Sequence, residues 1–438
     1  MIEGMLYDAY GRELREKELA RRLVEWEPQD RLQDDASRAL TPRKLDEILL
    51  AANRGDPVEQ SRLAGEILEK DWDTAQAVQT RTLAATGVPW RCKPTAKGVQ
   101  YERAAAEAQE MLAALEPERP DDLDFNGLLN ALLGGLLPGY SLAETIWAPG
   151  GRHVVCFSEV RRDALTFYNS REPRILSREN PGEGAALTPA KFIFHRHQAR
   201  SGDTTRGGLI RPLGWMYVFA AEGIRSLMRY TEKVGFPFVF ARIDDSAWDD
   251  QRAKVASLIR NFGRDGGAVF TKNVELELLE RNASNDDLYF KLLEYFGNAK
   301  TRVVLGQTAT SGDAGGFSKG QAQSQVRQDL LESDCRTLGD SIRRDVLMPW
   351  AGFRYGRPEL APQLEFETSP PEDQVEKSTV LTNLRQAGFE IDADWVSAEF
   401  GIPVTASMSF ASPGGRVPLA ENEKKKTSHE DPKRSGRW

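Results

Sequence analysis

Apolar residues recur at helical spacing through much of the first 135 positions, run together or alternate between 140 and 198, and return to helical spacing afterwards. Punctuation residues divide this pattern. Thr41-Pro42 opens one helix, and Asp56-Pro57 opens another with Asp as N-cap, Pro at the first helical position and Glu59 three residues after the cap. A third, Asp71–Thr86, is expected to close at a left-handed Gly87, because Pro89 cannot continue it. Val88–Lys93 reads as a short strand, and Tyr101–Leu115 and Asp122–Leu133 as helices. Strand-like runs follow at Ser141–Trp147, His153–Phe157, Leu165–Tyr168, Arg174–Leu176 and Phe192–His197, separated by Pro, Gly and Asn turns. A β-rich block after an α-rich one predicts an α+β fold, not an alternating α/β one.

Beyond the turn at Arg206-Gly207-Gly208, the spacing predicts a long helix over Pro212–Val234, ended by Gly235 and Pro237. A small unit follows: strand Phe238–Ile243, helix Trp248–Phe262, a turn over Gly263–Gly267, and strands Ala268–Thr271 and Glu275–Leu279. Helix Asp286–Val304 then leads into the most loop-like stretch of the chain, Gly306–Gly320, with glycines at 306, 312, 315, 316 and 320. Gln321–Met348 is uninterrupted helix-compatible sequence with Val326, Leu330, Leu338, Ile342 and Val346 at multiples of four. Such a helix is about 40 Å long, and Pro349 is expected to stop it. Strand-like Gln363–Phe366, a Pro370-Pro371 break and helices Gln374–Ala387 and Ala393–Phe400 read as a small terminal unit. Charge-rich residues 1–40, with a helical stretch at Glu16–Trp26, read as a mobile or partner-ordered arm, and residues 411–438 as a disordered polar tail.

Length and charge narrow the classes. At 438 residues the chain has room for two to four domains. Fifty-eight basic against 66 acidic residues leave a net charge of −8, which excludes a globally basic nucleic-acid coat though not local contact with DNA. Three cysteines, Cys92, Cys156 and Cys335, without C-x-x-C spacing support neither a disulfide framework nor a zinc ribbon, so a reducing compartment is expected. The longest apolar run, Leu128–Tyr140, is shorter than the ~20 residues a spanning helix needs, and the first residues lack the apolar core of a secretory signal. The chain is expected to stay where it is made, away from membranes.

Candidate chemistry is sparse. His195 and His197 on one strand share a face and could hold a metal, but no third ligand stands at suitable spacing, so surface or hydrogen-bonded histidines are the expectation. The run from Gly312 to Lys319 has the ingredients of a phosphate-binding loop, yet Ser318 precedes Lys319 and the upstream segment reads as helix, so it is expected to be a flexible loop. Asp244-Asp245, Asp249-Asp250 and Asp286-Asp287 could chelate magnesium for nuclease chemistry, but carboxylates at helix starts are explained by the helix dipole. Trp215, Tyr217, Phe219 and Tyr230 could stack on nucleic acid, with core or helix–helix contact the expectation. Composition and spacing find no catalytic centre, no metal and no cofactor.

The order of segments nevertheless resembles a known family. Residues 195–219, HRHQARSGDTTRGGLIRPLGWMYVF, are similar to the Mu-like bacteriophage portal proteins. So are Lys233–Pro237 (KVGFP), Leu305–Thr308 (LGQT), Val326–Leu330 (VRQDL) with Asp340–Asp345 (DSIRRD), and Gln79–Leu83 (QTRTL) followed by Val88–Trp90 (VPW). The similarity runs over about residues 60–400, with 195–240 its most specific part. It implies a portal-type α+β subunit with a wing, a helical stem, a small α/β clip and a short helical crown, acting without catalysis. By order of segments, 1–40 would be the arm, 41–207 the wing, 208–234 the first stem helix, 235–282 the clip and 283–305 the second stem helix. The channel loop would be 306–320, the long wing helix and its sequel 321–362, the crown 363–410 and the tail 411–438.

Further expectations rest on the same resemblance. Thr310, Ser311, Gly312, Asp313, Gly315, Gly316, Phe317, Ser318 and Lys319 would face DNA in the channel, and Asp249, Arg252, Lys254, Arg260 and Arg264 on the clip would dock the terminase. The implied assembly is a homo-oligomeric ring, usually of twelve subunits, at one capsid vertex of the virion, built in the host cytoplasm. Its implied partners are double-stranded DNA, the terminase large subunit, the major capsid or scaffold protein and a head–tail adaptor. A metal-dependent nuclease and another virion adaptor ring are the alternatives.

Overall fold

The computed structural model describes residues 6–7, 13–14, 19–23, 36–176, 180–197, 199–234, 238–243, 274–279, 286–307, 317–368, 374–387 and 396. Two short strands, β1 (Leu6–Tyr7) and β2 (Glu13–Leu14), pair antiparallel ahead of three consecutive helices. The first, α1 (Pro42–Asn53), starts where the capping signal put it: the Thr41 hydroxyl accepts from the Lys44 amide. Helix α2 (Val58–Lys70) begins one position later than expected. Asp56 there accepts from the Val58 amide in a turn, and Pro57, not Asp56, occupies the cap. Helix α3 (Trp72–Thr86) does end at Gly87, but with φ −81° and ψ −5° the glycine stays right-handed. Its amide bonds back to Leu83, and Pro89 turns the chain directly into β3 (Trp90–Lys93) without a left-handed step.

Helix α4 (Val99–Ala113) follows. The expected helix Asp122–Leu133 divides into β4 (Asp122–Leu123) and α5 (Phe125–Leu133), because the Asp124 carboxylate caps the Gly127 amide and fixes the helix start there. The β-rich block is real. It contains β5 (Tyr140–Trp147), β6 (Val154–Val160), β7 (Leu165–Tyr168), β8 (Glu172–Ile175), β9 (Ala185–Ala186) and β10 (Phe192–Arg196). Strands β10, β5, β6 and β4 form one antiparallel sheet in that order, and β7, β8 and β9 a second. Strand β5 is buried along its whole length, so the central strand reads as a run and does not alternate.

The second half begins with α6 (Ile210–Val234), followed by β11 (Phe238–Ile243) and β12 (Val274–Leu279), which pair antiparallel, and α7 (Asp286–Leu305). The expected helix Trp248–Phe262, the turn 263–267 and the strand 268–271 lie outside the described residues. Helix α8 (Phe317–Ile342) starts four residues before the expected Gln321. Pro349 does not stop it. A single π-helical turn, Arg343–Leu347, passes straight into α9 (Met348–Tyr355), in whose first turn a proline lacks no needed donor. The true stop is Gly356, left-handed at φ +67°.

Strand β13 (Gln363–Phe366) pairs antiparallel with β3, so it belongs to the main body, not to a terminal unit. Residues 1–368 make one compact unit and 369–438 another, whose described part is helix α10 (Gln374–Gln386). The expected helix at Ala393–Phe400 and the tail lie outside the described residues, apart from Val396.

Two large apolar clusters and a smaller one fill the body. One gathers α5, β5, β6 and the α8–α9 junction around Trp147, Phe157 and Trp350. The other joins α1, α2 and α3 to the start of α6 and the end of α7. The third sits between the two sheets around Tyr140, Leu165 and Phe167.

The first forty residues are not simply an arm. Leu19 is buried in the first cluster, and the backbone around it satisfies a buried ion pair. Lys191 and Glu144, both fully enclosed and 3.3 Å apart, take the Leu19 carbonyl (2.7 Å from Lys191 Nζ) and the Leu23 amide (2.7 Å from Glu144 Oε1). Arg22 adds a pair with Asp122. Burial holds the Lys191 ammonium below its ordinary pKa, and only the Glu144 carboxylate opposes that shift strongly, so docking of 19–23 completes a site that would be costly half-made.

Candidate functional site

Helices α6 and α7 lie against each other, with Tyr230 and Tyr289 touching across the pair at 5.4 Å between ring centroids. Three of the four helical aromatics, Trp215, Tyr217 and Tyr230, serve packing as expected, while Phe219 is half exposed. Trp215 and Tyr217 pack against the second cluster, and Trp215 stacks on Phe219 at 6.2 Å. Several large apolar side chains of the pair are exposed: Phe219 and Met228 on α6, and Leu288, Phe290, Leu292 and Tyr295 on α7, where helical spacing aligns Leu288, Leu292 and Tyr295 in one stripe and puts Phe290 on the opposite side. A stripe of exposed apolar residues of this size marks an interaction surface.

Helices α7 and α8 flank residues 306–316, and both are clamped to α3. On the α7 side, Lys300 Nζ, 3 % exposed as a residue, donates to Asp71 Oδ1 at 2.5 Å and lies 3.6 Å from Asp73. The Thr74 hydroxyl donates to the second Asp71 oxygen. On the α8 side, the Arg81 guanidinium grips Asp334 in a fork, Nε to Oδ2 at 2.7 Å and Nη2 to Oδ1 at 2.9 Å. Its remaining Nη1 donates to the Val304 carbonyl at 2.9 Å, at the end of α7. One arginine on α3 therefore ties the end of α7 to the middle of α8. A planar fork with a third donor is what Arg offers and Lys does not.

The histidine pair sits behind this lock. His195 Nδ1 lies 3.0 Å from the Ser341 hydroxyl, and His197 Nδ1 is 3.9 Å from Asp334. Burial pushes both imidazoles down to about 4, His195 helped by repulsion from His197, and His197 by the Arg81 charge. His195 is a buried strand histidine bonded to Ser341, and His197, just past the strand, is packed beside Asp334 without a side-chain hydrogen bond to it. Among the described residues, no three His, Cys, Asp or Glu side chains converge to hold a metal. Burial also pushes the Cys92 and Cys335 thiols up to about 12, so neither is a nucleophile.

Of the channel-loop residues read from the sequence, Thr310, Ser311, Gly312, Asp313, Gly315 and Gly316 lie outside the described residues. Phe317, Ser318 and Lys319 form the first turn of α8. Asp249, Arg252, Lys254, Arg260 and Arg264, with the pairs Asp244-Asp245 and Asp249-Asp250, are also outside the described residues. Asp286-Asp287 opens α7, as a helix-start explanation requires. Arg81, Asp334 and Lys300 were missed. The signal was present for one of them: Asp334 occupies the empty step of the period-four stripe between Leu330 and Leu338.

The loop leaves α7 through Gly306, at φ +70°, where a Cβ would stand 2.6 Å from Val326 Cγ1 of α8. Gly306→Ala is expected to cost about 1–3 kcal/mol in urea unfolding, from the left-handed backbone and the clash together. An unchanged midpoint would mean that the loop exit is free to rearrange.

Residues 61–402 match the family described as the portal protein of Mu bacteriophage. The chain is 26 % identical over 382 residues to the portal protein of Escherichia phage Mu, covering 85 % of this chain and 73 % of that one. It is equally similar to the Mu-like prophage FluMu protein gp29 of Haemophilus influenzae, at 26 % over 85 % of this chain and 72 % of the relative. Among solved structures, the neck of the native gene transfer agent particle computed with C12 symmetry shares the fold. There the TM-score is 0.50 and the identity 13 %, over 84 % of this chain and 96 % of that one.

Proposed function

Because the chain belongs to the family of Mu bacteriophage portal proteins, and is a phage portal protein and no enzyme, we propose that it works as a ring of twelve copies through which double-stranded DNA passes. The ring sits at one vertex of the virion capsid, assembled in the host cytoplasm with the major capsid or scaffold protein. It docks the terminase large subunit during packaging and a head–tail adaptor afterwards. In this reading α6 and α7 are the stem, 235–282 the clip that meets the terminase, 306–320 the channel loop, α8 the wing helix and the residues after 368 the crown. The nuclease and adaptor readings fall away with the family assignment.

The observation that supports the ring is the exposed apolar stripe of Leu288, Leu292 and Tyr295 on α7. Side-by-side packing of stems would bury it, and no other described element does. The net charge of −8 suits a conduit, because a strongly basic wall would retain phosphates through counterion release instead of letting them slide.

The test combines native mass with imaging. The purified protein is expected near twelve times 48.9 kDa with a central channel as wide as a duplex. Deleting residues 309–318 is expected to leave that ring intact and to abolish DNA packaging. A deletion that packages normally would sink the loop assignment, and a Leu288→Glu variant that still forms rings would sink the role of the apolar stripe.

A further inference from the structure

A ring closed by one repeated contact joins two different flanks of each copy. The stripe of Leu288, Leu292 and Tyr295 on α7 supplies one flank, and α3 carries a second exposed stripe. The exposed residues of α3 are Trp72, Gln76, Gln79 and Leu83. At steps of four, three and four they align along one side of the helix for about 16 Å. Trp72 is 68 % exposed and Leu83 61 %. Elsewhere among the described residues of the main body, exposed large apolar side chains stand one to an element or, like Phe219 and Met228, on opposite sides of one helix.

No charge stands on the α3 face. Charged residues make up 28 % of the chain, and every other described helix of ten or more residues exposes at least one, whereas α3 exposes none. The two charged residues within α3 are engaged elsewhere: Asp73 lies 3.6 Å from Lys300, and Arg81 is buried in its fork to Asp334. A helix face that stays in water carries charged and polar residues, while the centre of a protein interface loses charge and gains aromatic side chains. The two flanks of one copy also turn away from each other. Helix α7 meets α3 through Gly297 beside Asp73, Lys300 on Asp71 and the Val304 carbonyl on Arg81. Helical spacing sets Leu288, Leu292 and Tyr295 on the opposite side of α7 from those three residues. The flanks therefore cannot meet within one copy.

We propose that the Trp72–Leu83 face of α3 receives the Leu288, Leu292 and Tyr295 stripe of a neighbouring copy of this chain. The inference rests on the ring reading and names the second surface that such a ring needs. The α7 stripe is about 10 Å long and fits within the α3 face, between Trp72 and Leu83 as anchors. Gln76 and Gln79 supply amides for the Tyr295 hydroxyl, which needs a hydrogen-bond partner once it is buried. Lys291 and Glu294, exposed beside the stripe, fall at the polar rim. A DNA duplex is a poor occupant, because a face without a cation offers nothing to its phosphates.

The experiment uses the full-length chain in two single variants, Gln79→Cys and Leu292→Cys, mixed in equal parts before the ring assembles and treated with a short bis-maleimide. The expected product joins one variant to the other. Rings of either variant alone, and wild-type rings with their native cysteines, are expected to give no cross-link between copies. Trp72→Ala is expected to keep the urea midpoint of the dissociated subunit and to raise the protein concentration at half-assembly by about tenfold. Cross-links between like variants only, or none in rings that do form, overturn the pairing while the ring stands. So does an unchanged half-assembly concentration for Trp72→Ala. A Trp72→Ala ring that assembles as the wild type does but no longer holds another virion protein reassigns the face to that protein and also overturns the proposal. If the wild-type protein forms no ring, the reading beneath the inference fails and the inference falls with it.

Discussion

Replacing Arg81 by leucine is expected to destabilise the main body by about 3–5 kcal/mol, the usual cost of removing one partner from a buried ion pair. The side chains of Arg81 and Asp334 are 8 % and 3 % exposed. Without the fork, the Asp334 carboxylate keeps only the neutral His197 at 3.9 Å, and the Val304 carbonyl loses its donor. Urea unfolding of the dissociated subunit measures the loss. The double replacement Arg81→Met with Asp334→Leu is expected to recover most of it, because no orphaned charge then remains. A single-variant loss under about 1 kcal/mol, the range of exposed pairs, would show that water reaches the lock and that α3 does not tie α7 to α8.

Acid is expected to loosen the same region. His195 and His197 stay neutral in the fold down to about 4, whereas in the unfolded chain they take up protons near 6.5. Between those values the unfolded state binds more protons, so stability is fully present above about 6.5 and is lost as pH falls toward 4. Each histidine contributes a slope of about 1.4 kcal/mol per pH unit across that window. Urea midpoints taken from pH 7 to pH 4 should fall steeply for the wild type and less steeply for His195→Asn or His197→Gln. Equal slopes in all three would assign the acid sensitivity to carboxylates elsewhere.

Local signals in the sequence were read well where one side chain decides a backbone turn. Thr41 marked the start of α1, the glycine and proline after Val234 marked the end of α6, and the central strands announced themselves by apolar density. The misreadings share a cause in tertiary structure. Pro349 was read as a stop because a proline breaks a regular helix, but the π turn before it had already changed the hydrogen-bond register. Along the stripe from Val326 to Val346 the period-four spacing says nothing of depth: Val326 is exposed while Leu338, Ile342 and Val346 are enclosed. The docked segment 19–23 is charge-rich and looked solvated. Its burial depends on Lys191 and Glu144, more than a hundred residues away. The lock itself joins residues 253 apart. Spacing arguments reach one turn of helix and cannot see such a pair, although an acid standing in an apolar stripe was a legible anomaly.

The pairing of β3 with β13 has a consequence for synthesis. Lys93 meets Glu365 across 272 residues of chain, so the edge of β3 has no partner until nearly the whole body has left the ribosome. At bacterial elongation rates of 5–20 residues per second, that wait is about 15–50 s. During it Arg81 also stands without Asp334, and α3 without α8. A nascent chain is thus kept from completing its main body by the order in which its pieces emerge. The same interval exposes an open strand edge that must be shielded from other growing chains.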